Sequence, residues 1–269
     1  MVKKLFKHEF LAYFRILIPM HLILVILAFF GRIFQFAENE SIFYALGFWA
    51  AITIYALATV ALFMITQIFS IVRFYKNMFT GEGYLTLTLP VTASQHIWVK
   101  VSVAVLVQLI NVVIFALSML LLTAGEIFAK FADVVQESVS SMYAEIGFNL
   151  VIYTIEFLAI LILAIFSSNL LYYSCISLGQ TFHKKRIFAA VAIYFTYCVI
   201  GRIVSTIFSM FMFSNAGYEL IDVLEAYFTA HPFIGVHLFF ITGIVISMLV
   251  CAFFFLITRY VMNKKLNLE

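Results

Sequence analysis

Apolar residues gather in six long runs along this chain, separated by shorter stretches that hold most of the charge. The runs lie near residues 17–36, 42–72, 98–124, 148–174, 187–213 and 233–261. Each supplies the roughly 20 residues a helix needs to cross about 30 Å of hydrocarbon at ~1.5 Å per residue. The second and sixth exceed that length, which predicts tilt or projection beyond the bilayer. The expected fold is an all-α membrane protein of six transmembrane helices, forming a single domain over residues 1–269.

The stretches between the runs are not featureless. In residues 1–16, Phe6, Phe10, Tyr13 and Phe14 recur at helical spacing and continue into Leu17, while Lys3, Lys4, Lys7 and Arg15 cluster on the polar side. Such a segment predicts an interfacial amphipathic helix, with Pro19 at an elbow into the first span. Residues 125–147 carry Phe128, Phe131, Val135 and Met142 at helical spacing among acids. Residues 214–232 carry Tyr218, Ile221, Leu224 and Phe228 before His231 and Pro232. Both segments predict short helices against the outer face of the membrane.

Composition supports the membrane reading: 65% of residues are apolar and 11% charged, where a soluble domain has about 45–50% and 25%. Charge sets the orientation. Thirteen of the 16 basic residues fall on one side of a six-span layout: Lys3, Lys4, Lys7, Arg15, Arg73, Lys76, Lys100, Lys184, Lys185, Arg186, Arg259, Lys264 and Lys265. The other side is acidic, with Glu38, Glu40, Asp133, Glu137, Asp222 and Glu225 among its residues. The excess of Lys and Arg places both termini in the cytoplasm of a multi-pass cell-membrane protein. The first span lacks a following small-residue cleavage site, so it reads as an anchor rather than a cleaved signal. Cys175, Cys198 and Cys251 lie inside apolar runs without metal-type spacing and read as packing residues.

Chemistry-bearing motifs are absent. There is no GxxxxGK[ST], HExxH, GxSxG or paired-cysteine sequence. His231 and His237 lie near Asp222 and Glu225 in sequence, yet with no metal-ligand spacing of a known kind. The chain therefore predicts no catalytic residue, no metal and no cofactor of its own, and no nucleic-acid partner. An uphill process would draw its energy from a partner or an ion gradient.

The inner loop over residues 73–97 is the most informative stretch. Gly81 and Gly83 bracket a corner. Tyr84, Thr86 and Thr88 alternate with Leu85, Leu87 and Leu89, Pro90 stops the segment, and Thr92 or Ser94 can cap the next helix. An apolar patch of this kind on the cytosolic side marks a docking surface. The phrase Glu82-Gly83-Tyr84-Leu85-Thr86-Leu87-Thr88-Leu89-Pro90-Val91 resembles one between spans two and three in permease subunits of type V (ABC-2-type) ATP-binding cassette exporters. The chain is also similar to permeases of Gram-positive peptide exporters, including those for phenol-soluble modulins. The resemblance extends to the elbow, the six spans, the inner termini and the helices between spans five and six.

The resemblance implies that Glu82, Gly83, Tyr84, Leu85, Leu87, Leu89 and Pro90 form a coupling helix seated on a separate ATPase subunit. That subunit would bind ATP and Mg. It also implies a second permease copy, as a homo- or heterodimer in membrane lipid, and export by alternating access. The Leu/Thr alternation departs from a clean helical face.

Two ionisable residues fall within the spans, Glu156 and Arg202. They read either as an ion pair between neighbouring helices or as groups facing a translocation cavity. Thr59, Gln67, Ser205 and Thr206 read equally as cavity lining or as interhelical hydrogen-bonding groups. The leading expectation is export of an amphipathic substrate, most readily peptide toxins or antimicrobial peptides. The same class admits a lipid, a drug or sodium. A gradient-driven carrier or a membrane-embedded enzyme would need a midplane acid, broken helices or clustered catalytic groups.

Overall fold

The computed structural model describes residues 2–36, 42–81, 83, 86, 88, 90–182 and 184–264. Among these the chain is helical with no strand: α1 (Val2–Phe36), α2 (Ile42–Phe79), α3 (Ala93–Thr123), α4 (Glu126–Ile146), α5 (Asn149–Gly179), α6 (Arg186–Met212), α7 (Asn215–Ala230) and α8 (Pro232–Lys264). Six of them, α1, α2, α3, α5, α6 and α8, are long and apolar enough to cross a membrane. The protein is a multi-pass helical membrane protein. Hydrocarbon offers no partner to a bare N–H or C=O, and a helix satisfies both internally.

Local chemistry sets the helix ends. Thr92 caps α3 in a reciprocal box: its hydroxyl accepts from the Gln95 N–H at 3.3 Å, and its own N–H donates to Gln95 Oε1 at 3.0 Å. Gly125 turns the chain between α3 and α4 at φ +98°, a conformation open to glycine at little cost. Ser214 caps α7 by accepting from the Gly217 N–H. The helices expected over 125–147 and 214–232 are α4 and α7.

The break expected at residue 16 is absent. α1 runs unbroken from Val2 through Pro19 to Phe36. Its aromatic stripe is covered by protein. Tyr13 and Leu17 are fully buried, and Phe6 and Phe10 pack against the same core. A stripe already covered by protein continues straight, and Pro19 costs one backbone bond, to the carbonyl of Arg15.

Packing divides the chain into two compact units. The first holds α1, α2, α3 and α4 as far as Ser141, and the second holds the rest of α4 with α5 to α8. Phe79, Thr80, Gly81 and Gly83 group with the second. In the first unit, Tyr13, Leu17, Leu24 and Ala28 of α1 meet Tyr55 and Leu62 of α2 and Val99, Val103 and Val107 of α3. Tyr13 meets Phe69 edge-on at 4.9 Å.

Polar rungs cross this core. His21 Nε2 donates to Asn111 Oδ1, and Asn111 Nδ2 donates to Thr66 Oγ1, both at 2.8 Å, so three helices share one buried chain of bonds. Gln108 donates to Gln67 at 2.6 Å, and Tyr55 bonds Ser118 at 2.8 Å. As the α2 partner's number falls, the α3 partner's number rises, which fixes these two helices as antiparallel.

In the second unit α5 and α8 run parallel. Tyr153 bonds the Phe233 carbonyl near the start of both, and the Cys251 thiol meets the Leu163 carbonyl further along both. α6 returns along α5, touching Gly179 of α5 so closely through Ala190 that a Cβ on the glycine would lie 2.7 Å from the Ala190 Cβ. Of the cysteines, Cys175 is buried, Cys251 half-buried and Cys198 exposed, so packing accounts for the first and not for Cys198.

Asn111 closes the three-helix bond chain. Asn111→Ala is expected to lower unfolding stability by about 1–3 kcal/mol, through two lost bonds and stranded partners. Denaturant titration in detergent measures this, and an unchanged midpoint would show the chain of bonds to be dispensable.

Candidate functional site

The segment that ties the two ends of the 80–92 loop together is built on charge. Glu9 of α1 falls on the same helical face as Phe6 and Tyr13, and it is 4% exposed. α2 brings Arg73 and α3 brings Lys100 to the same end of the first unit. Arg73 donates from Nε to Glu9 Oε1 at 2.9 Å and from Nη2 to Oε2 at 3.0 Å, a two-pronged fit of guanidinium to carboxylate. Lys100 Nζ donates to Oε1 at 2.8 Å. Each of the three residues lies about 10 Å from an end of its helix at ~1.5 Å per residue. The three helices are joined where the loop leaves α2 and enters α3. One turn before Lys100, His96 is fully buried, and neither ring nitrogen has a hydrogen-bond partner among the described residues. Such a group costs about 1–3 kcal/mol.

α2 continues as helix to Phe79, beyond the span end expected at 72. Gly83 N–H bonds the Thr80 carbonyl at 2.7 Å, and the backbone is helical at Gly81, Gly83 and Thr86. Gly83 is buried and Pro90 exposed. Of the expected coupling residues, Glu82, Tyr84, Leu85, Leu87 and Leu89 lie outside the described residues.

The second polar site joins α5 and α8. Glu156 does not pair with Arg202. Both its carboxylate oxygens face His237 Nδ1, at 3.0 and 3.1 Å. Tyr153 lies against the imidazole at 4.6 Å between ring centres, and its hydroxyl donates to the Phe233 carbonyl at 3.0 Å. The reason is register. Glu156 sits about 10 Å from the start of α5 and His237 about 8 Å from the start of the parallel α8, whereas Arg202 lies about 15 Å from the corresponding end of α6. His237 therefore serves Glu156 and not the neighbours His231, Asp222 and Glu225. Among the described residues no three metal-ligating side chains gather.

The remaining candidates separate. Thr59 lines a cleft of about 440 Å³ with Ile52, Tyr55, Phe115 and Met119, its hydroxyl turned back to the Tyr55 carbonyl. Gln67 is held by Gln108. Ser205 and Thr206 are exposed on α6 beside Arg202, whose side chain has no partner among the described residues, and the Thr206 hydroxyl donates to the Arg202 carbonyl. Glu9 escaped the sequence reading, although one signal was present: an acid on the aromatic face of an otherwise basic helix. His237 falls inside the sixth apolar run, and its pairing with Glu156 depends on a register between helices that packing sets.

No protein-family model matches the chain, and no curated protein and no solved structure shows significant similarity to it.

Removing the Glu9 carboxylate leaves Arg73 and Lys100 without their shared partner in a buried setting. Glu9→Ala is expected to cost about 3–5 kcal/mol, and Glu9→Leu combined with Lys100→Met to cost less than Glu9→Ala alone. Thermal unfolding of the three purified proteins compares them, and equal losses would show that the charges do not depend on one another.

Proposed function

We propose that the chain is the membrane-spanning subunit of an exporter of the type V ATP-binding cassette class, with both termini in the cytoplasm of a cell membrane. A separate ATPase subunit supplies ATP hydrolysis, and a second permease copy completes the transport path. The carrying observation is the Glu82–Val91 phrase, set between two membrane-length helices whose ends the Glu9, Arg73 and Lys100 cluster binds together. A loop rooted in a stiff three-helix end is suited to receive a push from a soluble partner and pass it on. An amphipathic peptide is the substrate the aromatic and Met-rich spans suit best.

One observation favours a second reading. The one acid of the second unit's spans is paired with a titratable imidazole, which is the equipment of a proton-driven carrier. Collapse of the proton gradient would stop such a carrier and leave an ATP-driven exporter running.

The test is association. The chain, expressed with a candidate ATP-binding cassette ATPase subunit, is expected to retain that ATPase through purification. Leu87→Glu is expected to weaken retention at least about tenfold by placing a charge on an apolar docking surface. A wild-type chain that retains no ATPase, or that transports in sealed vesicles without ATP, defeats the reading.

A further inference from the structure

α6 is the least covered of the membrane-length helices, with Ala190 its one buried residue among those described. Exposed apolar side chains on such a helix are ordinary contacts with lipid. Arg202 is not. It is exposed, it has no side-chain partner among the described residues, and it lies about 5 Å from the midpoint of α6 at ~1.5 Å per residue. The cationic stretch Lys184, Lys185 and Arg186 marks one membrane boundary of α6 and the Ser214 turn the other, so the midpoint lies near the centre of the bilayer. A guanidinium reaching ~6 Å from its backbone still ends inside hydrocarbon that extends about 15 Å from the centre. A charge there needs a counter-charge or a polar cavity.

The same face continues the polarity. Cys198, Ser205, Thr206 and Ser209 stand one turn before and one to two turns after Arg202, and all are exposed. Among the described residues no acid answers this charge. Glu9 is taken by Arg73 and Lys100, and Glu156 by His237. A second copy would bring the same two occupied acids, and the acids of α7 lie beyond the end of α6. Bulk phospholipid places its phosphates outside the hydrocarbon, too far from the guanidinium. The remaining occupant is an acid that enters the membrane layer with its own apolar surface.

We propose that the polar stripe of α6 centred on Arg202 binds a carboxylate of an amphipathic peptide in transit. This inference rests on the export reading for the class of cargo. The guanidinium fork matches a carboxylate bidentately, and the Ser and Thr hydroxyls flank it along the helix.

Cys198, one turn from Arg202, gives a direct readout. The full chain carrying Cys175→Ala and Cys251→Ala is placed in phosphatidylcholine nanodiscs without any ATPase. Modification of Cys198 by a membrane-impermeant maleimide is then timed. The probe is an amphipathic helical peptide of about 20 residues with glutamates on its polar face, and its control carries glutamines. The glutamate peptide is expected to slow modification about tenfold, the worth of a charge-assisted pair, and the glutamine peptide to have little effect. Arg202→Gln is expected to abolish the protection while Cys198 stays reactive, and Arg202→Lys provides a second, charge-keeping variant in case the first misfolds.

The proposal falls if Cys198 does not react in the absence of peptide, if the glutamine peptide protects equally, or if protection survives Arg202→Gln. It falls also if phosphatidylglycerol alone protects, which would make lipid the occupant, or if protection tracks self-association of the chain. Failure to retain an ATPase would defeat the export reading without altering this measurement, so the two are separable.

Discussion

Water is missing from the layer that six of these helices are long enough to cross, so a polar group placed there has to find another polar group. That requirement explains more of the packing than apolar attraction does, since lipid tails are as apolar as leucine. In the first unit it produces the rungs from Tyr55–Ser118 through Thr66–Asn111–His21 to the Glu9 cluster. Each rung has a single register in which both partners are satisfied. The apolar surfaces fill in around that register, and the resulting bundle is specified by a few bonds rather than by many interchangeable contacts.

The two units handle charge differently. The first concentrates it at one end, where a carboxylate gathers a guanidinium and an ammonium from two other helices. Joining three helices there removes freedom from the part that bears the loop. The second unit spreads its polar groups: one pair between α5 and α8, and one cation on the uncovered α6.

Most of the fold could be read from residue pattern. Six apolar runs became six long helices, and the amphipathic segments at 125–147 and 214–232 became α4 and α7, because apolar content and helical periodicity act locally. Thr92 as a cap was legible for the same reason. The partners were not. Matching Glu156 to Arg202 by approximate depth failed because register between helices is settled by packing, and the parallel α5 and α8 put His237 opposite the carboxylate. The unbroken course of α1 was not legible, because an amphipathic stripe looks the same whether lipid or protein will cover it. Glu9 alone hinted at the answer, since an acid on that stripe has to find cations and only a neighbouring helix can bring them.

α2 is 38 residues long, without proline and with no glycine after Gly47, a rod of about 57 Å at ~1.5 Å per residue. Helices bend sharply at proline, at glycine or at bulges, and this one lacks the first two over nearly its whole length. Arg73 clamps it near one end. A tilt imposed there is not absorbed along the way, so a small angular change at the clamped end becomes a displacement of several ångströms at the other. α2 has the proportions of a lever whose fulcrum is an ion pair.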